Sequence, residues 1–78
     1  MLKRKLIYLL NISFLNELVQ LNSRVVFNTT IYYDRYVINA KSILGVLSLG
    51  GVEAELEYED DAFYEEDLEK LIKKYYLT

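Results

Sequence analysis

Apolar and polar residues alternate most strictly near the end of the chain. Over residues 51–60, Val52, Ala54, Leu56 and Tyr58 alternate with Glu53, Glu55, Glu57 and Glu59. The period of two predicts a strand with one buried face and an acidic ladder in water. Four like charges spaced two apart repel, so neighbouring strands are expected to lend cations or polar groups, with Lys3 and Lys5 as candidates. Residues 3–10 read as a first strand whose basic beginning suits a sheet edge. Ser13 is then a predicted N-cap for a helix running to about residue 22 or 24. Its apolar stripe is Phe14, Leu18, Leu21 and Val25, widened by Leu15 and Val19, and Asn16, Glu17, Gln20 and Ser23 take the other side. Residues 26–34 and 36–40 read as a hairpin. A tight turn at Asp34 and Arg35 would pair Ile31 with Ile38 and Tyr33 with Tyr36, although Arg tolerates φ > 0 poorly and a longer loop is the alternative.

The last helix is predicted over residues 64 to about 77, with Asp60 and Asp61 as candidate caps. Tyr64, Leu68, Leu71, Ile72 and Tyr75 form its core stripe. Acidic residues at its start and Lys73 and Lys74 at its end suit the macrodipole. Glu66 with Lys70, and Glu69 with Lys73, stand at i,i+4 spacing.

Between hairpin and alternating strand lies the most apolar stretch, residues 39–51, reading NAKSILGVLSLGG. Ser42 is a favoured N-cap type, and Gly50 and Gly51 offer the φ > 0 conformation that closes a helix. Ile43, Leu44, Val46, Leu47 and Leu49 would cover roughly 220° of a helical wheel, leaving Gly45 and Ser48 as a small-residue face. An ordinary buried stripe is nearer 100° wide. The excess is apolar surface left over for a partner. The competing reading is that the whole helix is core.

The predicted order is β-α-β-β-α-β-α. Short connections and one-sided alternation imply an α+β fold: an open-faced β-sandwich, a four-stranded antiparallel sheet with three helices on one face. The 78 residues are expected to form a single domain, 1–78. With over half its residues apolar and eight of them tyrosine, the chain is no disordered tail. Absence of Cys excludes disulfides and thiolate metal sites, and absence of His removes the commonest general base. The net charge of −3 divides into +4 over residues 1–50 and −7 over residues 51–78, a polarity that could steer a charged partner. No basic block is large enough for nucleic acid. No apolar run reaches bilayer length, and that of residues 6–10 is too short for a signal peptide.

The run Asn39-Ala40-Lys41-Ser42-Ile43-Leu44-Gly45-Val46-Leu47-Ser48-Leu49-Gly50 resembles the regulatory-serine segment of HPr, the small phosphocarrier of the bacterial sugar phosphotransferase system. Val19-Gln20, the hairpin around residues 31–38 and the acidic last helix fall at family-like spacing. The resemblance implies the same open-faced sandwich, with the acidic-laddered strand inside the sheet, and a cytoplasmic bacterial protein with protein partners. In that family a histidine opening the first helix, in a segment resembling His-Ala-Arg-Pro, carries the phosphate. Counting back from Ser42 puts Asn11-Ile12-Ser13-Phe14 there. Asn11 has no basic ring nitrogen and the chain holds no histidine, so phosphocarrier activity is excluded.

Nothing replaces that chemistry. Ser13, Ser23, Ser42 and Ser48 lack a His partner, and Lys41 beside Ser42 is a weak signal. The strand carboxylates read as a solvated face, and Glu59, Asp60 and Asp61 lack Ca²⁺-loop spacing. The chain is read as non-enzymatic, without cofactor or metal. The regulatory segment remains. In part of the HPr family a serine corresponding to Ser42 is phosphorylated by HPr kinase, and the product docks on a transcriptional regulator. The resemblance makes Ser42 the candidate phosphoserine, and Lys41, Ile43, Leu44 and Leu47 the candidate partner-binding residues. The alternative is a structural module with the same fold and no phosphorylation role, self-associating through the apolar helix or an edge strand. There Ser42 is only a cap and Lys41 only a solvated cation.

Overall fold

The computed structural model describes residues 1–76. Its elements are β1 (Leu2–Leu9), α1 (Ile12–Ser23), β2 (Thr30–Tyr33), β3 (Tyr36–Asn39), α2 (Ile43–Leu47), β4 (Val52–Glu59) and α3 (Ala62–Tyr76). The strands form one antiparallel sheet in the order β1-β4-β2-β3, so β4 lies inside and β1 at an edge. Ala54, Leu56 and Tyr58 are buried. The helices supply the rest of the core on that same face: Phe14, Leu15 and Leu18 from α1, Val46 from α2, Tyr64 and Leu68 from α3.

Strand register sorts the charges, and it corrects one expectation. Arg4 is opposite Glu57, Leu6 opposite Glu55 and Tyr8 opposite Glu53. Because side chains alternate, the even residues of β1 share the open face with the acidic ladder. Arg4 answers it, 2.9 Å from Glu57 and 3.9 Å from Glu55, and the terminal amine lies 3.3 Å from Glu59. Lys3 and Lys5 are odd and turn to the helices. Lys3 meets Glu65 at 2.6 Å and Asp60 at 3.6 Å, and Lys5 meets Glu69 at 2.8 Å. Glu69 is therefore paired with Lys5, not with Lys73, whereas Glu66 and Lys70 pair at 3.3 Å along the helix.

The hairpin has the tight turn, pairing Ile31 with Ile38 and Tyr33 with Tyr36. Only Asp34 takes a positive φ, of 54°, so Arg35 avoids the conformation that made the turn look poor. β2 begins at Thr30, later than the predicted residue 26. Of the residues expected to begin the strand, Val26 is exposed and Phe27 packs against the core instead, meeting the Tyr64 ring edge-on at 5.4 Å.

Three helix ends also differ from expectation. Asn11, not Ser13, caps α1, its Oδ1 accepting from the Phe14 N–H at 2.9 Å; both residue types serve at that position. α3 starts at Ala62, earlier than residue 64, since Asp61 Oδ1 accepts from the Tyr64 N–H at 2.8 Å. Leu77, the predicted end, lies outside the described residues. After α2 only Gly51 takes a positive φ, of 84°, and its N–H donates to the Leu9 carbonyl at 2.6 Å.

Candidate interaction site

α2 is five residues long and held by its inner face. Val46 is fully buried and Leu49, just past the helix, nearly so. Gly45 brings the helix close to β3, for a Cβ at that position would stand 2.9 Å from Ile38 Cγ2. With those positions inside, the wide apolar arc leaves Ile43 and Leu47 each 37% exposed and Leu44 82% exposed. The arc is thus divided between core and surface, and the surface share is the three residues singled out as partner-binding.

Ser42 occupies the N-cap position with φ −95° and ψ 110°, but its hydroxyl makes no capping bond. That corrects the expected capping role. The residue is exposed, and its Oγ lies over the small surface of Gly45. The other small residue, Ser48, turns its hydroxyl back onto the Gly45 carbonyl at 2.6 Å.

The chain entering α2 is fastened from the end of α1. Ala40 N–H donates to the Thr29 carbonyl at 3.0 Å, and the Ala40 carbonyl accepts from Asn22 Nδ2 at 3.1 Å. Lys41 is neither a free cation nor a bare clamp, since its ammonium donates to the Val25 carbonyl at 2.8 Å. Lys41 N–H is taken by Asn39 Oδ1 at 2.9 Å, and Ser42 N–H by the Asn39 carbonyl at 3.0 Å. The candidate serine therefore stands on an immobilised step.

Asn22 is the residue that sequence reasoning overlooked. It is fully buried and accepts from the Tyr64 hydroxyl at 2.5 Å. Burial pushes the Tyr64 phenol well above its ordinary pKa. The available signal was position: Asn22 lies four residues after Leu18 on the apolar stripe of α1, where a polar side chain needs a partner.

Asn11 opens α1 with its side-chain oxygen committed to the cap, and no hydrogen bond joins it to Ser42. Of the acids suited to a cation, Glu59 meets the amino terminus, Asp60 meets Lys3, and Asp61 caps α3. Among the described residues no group of three His, Cys, Asp or Glu side chains is placed to hold a metal ion. Nor is any helix among them long and apolar enough to cross a membrane.

No family model matches the sequence, and neither does any curated protein. Solved structures do match. HPr-C-His from Thermoanaerobacter tengcongensis is 27% identical, with a TM-score of 0.71 over 92% of both chains. The phosphocarrier protein HPr from Bacillus anthracis str. Ames is also 27% identical, with a TM-score of 0.65 over 90% of this chain and 92% of its own. The match takes in nearly the whole sheet-and-helix arrangement described above, so the chain has an HPr-like fold and is similar to these HPr proteins, while its own sequence contains no histidine.

Proposed function

We propose that this chain is a non-catalytic, HPr-like regulatory protein that docks on a protein partner through α2, with Ser42 as a phosphorylation switch. The observation that carries the reading is an exposed Ser42, its hydroxyl free of the cap, beside exposed Ile43, Leu44 and Leu47. A histidine phosphocarrier role has no acceptor in this sequence. Phosphate on Ser42 would add about −1.5 to −2 charges next to an apolar patch. In a five-residue helix the dipole adds little, so the new charge itself is the signal. Lys41 would join the contact by leaving the Val25 carbonyl. An HPr-type serine kinase and a transcriptional regulator are the partner classes this reading takes from the family, in the cytoplasm, with residues 1–78 acting as one domain.

Incubation with an HPr kinase and ATP, followed by intact mass, tests the switch. One added phosphate, absent from Ser42→Ala, is the expected result; no added phosphate removes the switch. Pull-down with wild type against Leu47→Lys tests the patch with or without phosphate, and equal capture by both removes the docking role. The 82% exposure of Leu44 also favours a second reading, in which the patch covers another copy of the chain. Concentration-dependent dimers abolished by Leu44→Lys would select that reading, and a monomer at every concentration would discard it.

A further inference from the structure

The two edges of the sheet are guarded differently. β1 carries Lys3, Arg4 and Lys5, cations that discourage a foreign strand. β3 is Tyr36, Val37, Ile38 and Asn39, with no charge and no proline. Two hydrogen bonds fix which way its backbone faces. Ala40 N–H points inward, to the Thr29 carbonyl at 3.0 Å, and the Asn39 carbonyl points outward, to the Ser42 N–H at 3.0 Å. Backbone groups alternate along a strand, so Val37 turns both its N–H and its carbonyl outward, and Asn39 its N–H. β3 ends the strand order, and no strand among the described residues receives them.

A groove flanks this edge on each face. On the open face, Asn28, Thr29, Thr30, Val37 and Asn39 line about 340 Å³. On the helix face, Tyr33, Tyr36, Ile38, Ser48 and Leu49 line about 310 Å³. Neither lining contains a charged residue. We propose that β3 accepts an extended, uncharged segment of a partner protein as a fifth strand. Its backbone bonds to Val37 and Asn39, and its alternate side chains enter the two grooves: an apolar one between Tyr36 and Leu49, a small polar one between Thr30 and Asn39. A charged side chain in either groove would lose water without gaining an opposite charge. A second copy fits less well. Four residues span only about 13 Å, and two such strands fall far short of the roughly 800 Å² per partner that stable pairs bury. The proposal does not rest on phosphorylation of Ser42, although Asn39 adjoins the segment that carries it.

The probe is the peptide acetyl-Ser-Val-Thr-Leu-Ser-Val-amide, titrated into the isotope-labelled chain to millimolar concentration. Expected are amide shifts and slowed hydrogen exchange at Val37 and Asn39, with β1 silent. Val37→Pro removes an outward donor without breaking a bond to β2, and abolishes those shifts at an unchanged melting temperature. Should Val37→Pro unfold, Val37→Lys charges the same edge and gives the same loss. A peptide with Glu in place of Leu binds at least about tenfold more weakly. Absence of shifts at β3, shifts at β1 instead, full binding by the folded Val37 variant, or dimers of the chain alone paired through β3 would each overturn the proposal.

Discussion

Tyr64 donates its hydroxyl to Asn22 Oδ1 at 2.5 Å across 42 residues of sequence, and Asn22 Nδ2 donates onward to the Ala40 carbonyl at 3.1 Å. The bonds join the first turn of α3, the last turn of α1 and the segment that delivers Ser42. Tyr64→Phe keeps the ring and leaves a buried amide oxygen without its donor. It is expected to cost about 1–3 kcal/mol, and each kcal/mol lowers the melting temperature of a domain this small by about 4–8 °C. Thermal denaturation of the single variant decides it, and an unchanged melting temperature would mean the hydroxyl adds nothing.

Stability should fall at both ends of the pH scale. Burial raises the folded Tyr64 pKa above its ordinary 10.0, and the hydrogen bonds that Lys3 donates to Glu65 and Lys5 to Glu69 raise those ammonium groups above 10.5. Groups raised on folding hold their protons longer in the native state, so this stability is complete below the unfolded values and is lost as pH climbs beyond them. Conversely, hydrogen bonds from Lys74 and Tyr75 lower Glu17, and one from Lys5 lowers Glu69, below the ordinary 4.5. Their contribution is present above that value and is lost as pH falls through the folded pKa. Urea midpoints across the range should show both limbs. Tyr64→Phe should make the alkaline limb shallower, and Glu17→Gln the acid one.

Gly45→Ala tests the seating of α2. Its methyl group would lie 2.9 Å from Ile38 Cγ2, a short branched side chain with little room to yield. Overpacking costs about 1–3 kcal/mol, partly offset by up to ~1 kcal/mol of helix propensity. A net loss is expected in chemical denaturation, smaller when Gly45→Ala is introduced into an Ile38→Ala background. A gain in stability would show that α2 does not rest on β3 at this point.

The cap at Asn11 makes a separate prediction. Asn11→Ala removes the acceptor for the Phe14 N–H and should cost about 1 kcal/mol. Asn11→Asp should keep the cap and nearly all the stability. Equal losses in both variants would place the role of Asn11 elsewhere.

Much of the fold was legible in the residues because local periodicity carries it. The alternation of β4 announced a half-buried strand, the stripes of α1 and α3 announced their inner faces, and the Ile31–Ile38 register followed from the turn. The candidate site was legible only in outline. Five apolar residues around one short helix said that some must be outside, yet not which. The answer depended on Gly45 pressing against Ile38 and Val46 filling the core.

By itself, then, the sequence determined the kinds of elements, their order and the absence of a histidine acceptor, since each of these is written in neighbouring residues. Only the tertiary structure decided who meets whom. Arg4 and not Lys3 or Lys5 answers the acidic ladder, because strand parity assigns faces. Asn11 and not Ser13 caps α1, and Ser42 keeps its hydroxyl free of the cap. Asn22 finds Tyr64 through the helix layer. The Arg4 and Asn22 pairings depend on distances between segments far apart in the chain, which no local pattern encodes, whereas the two caps turn on backbone and side-chain geometry that residue type alone does not fix.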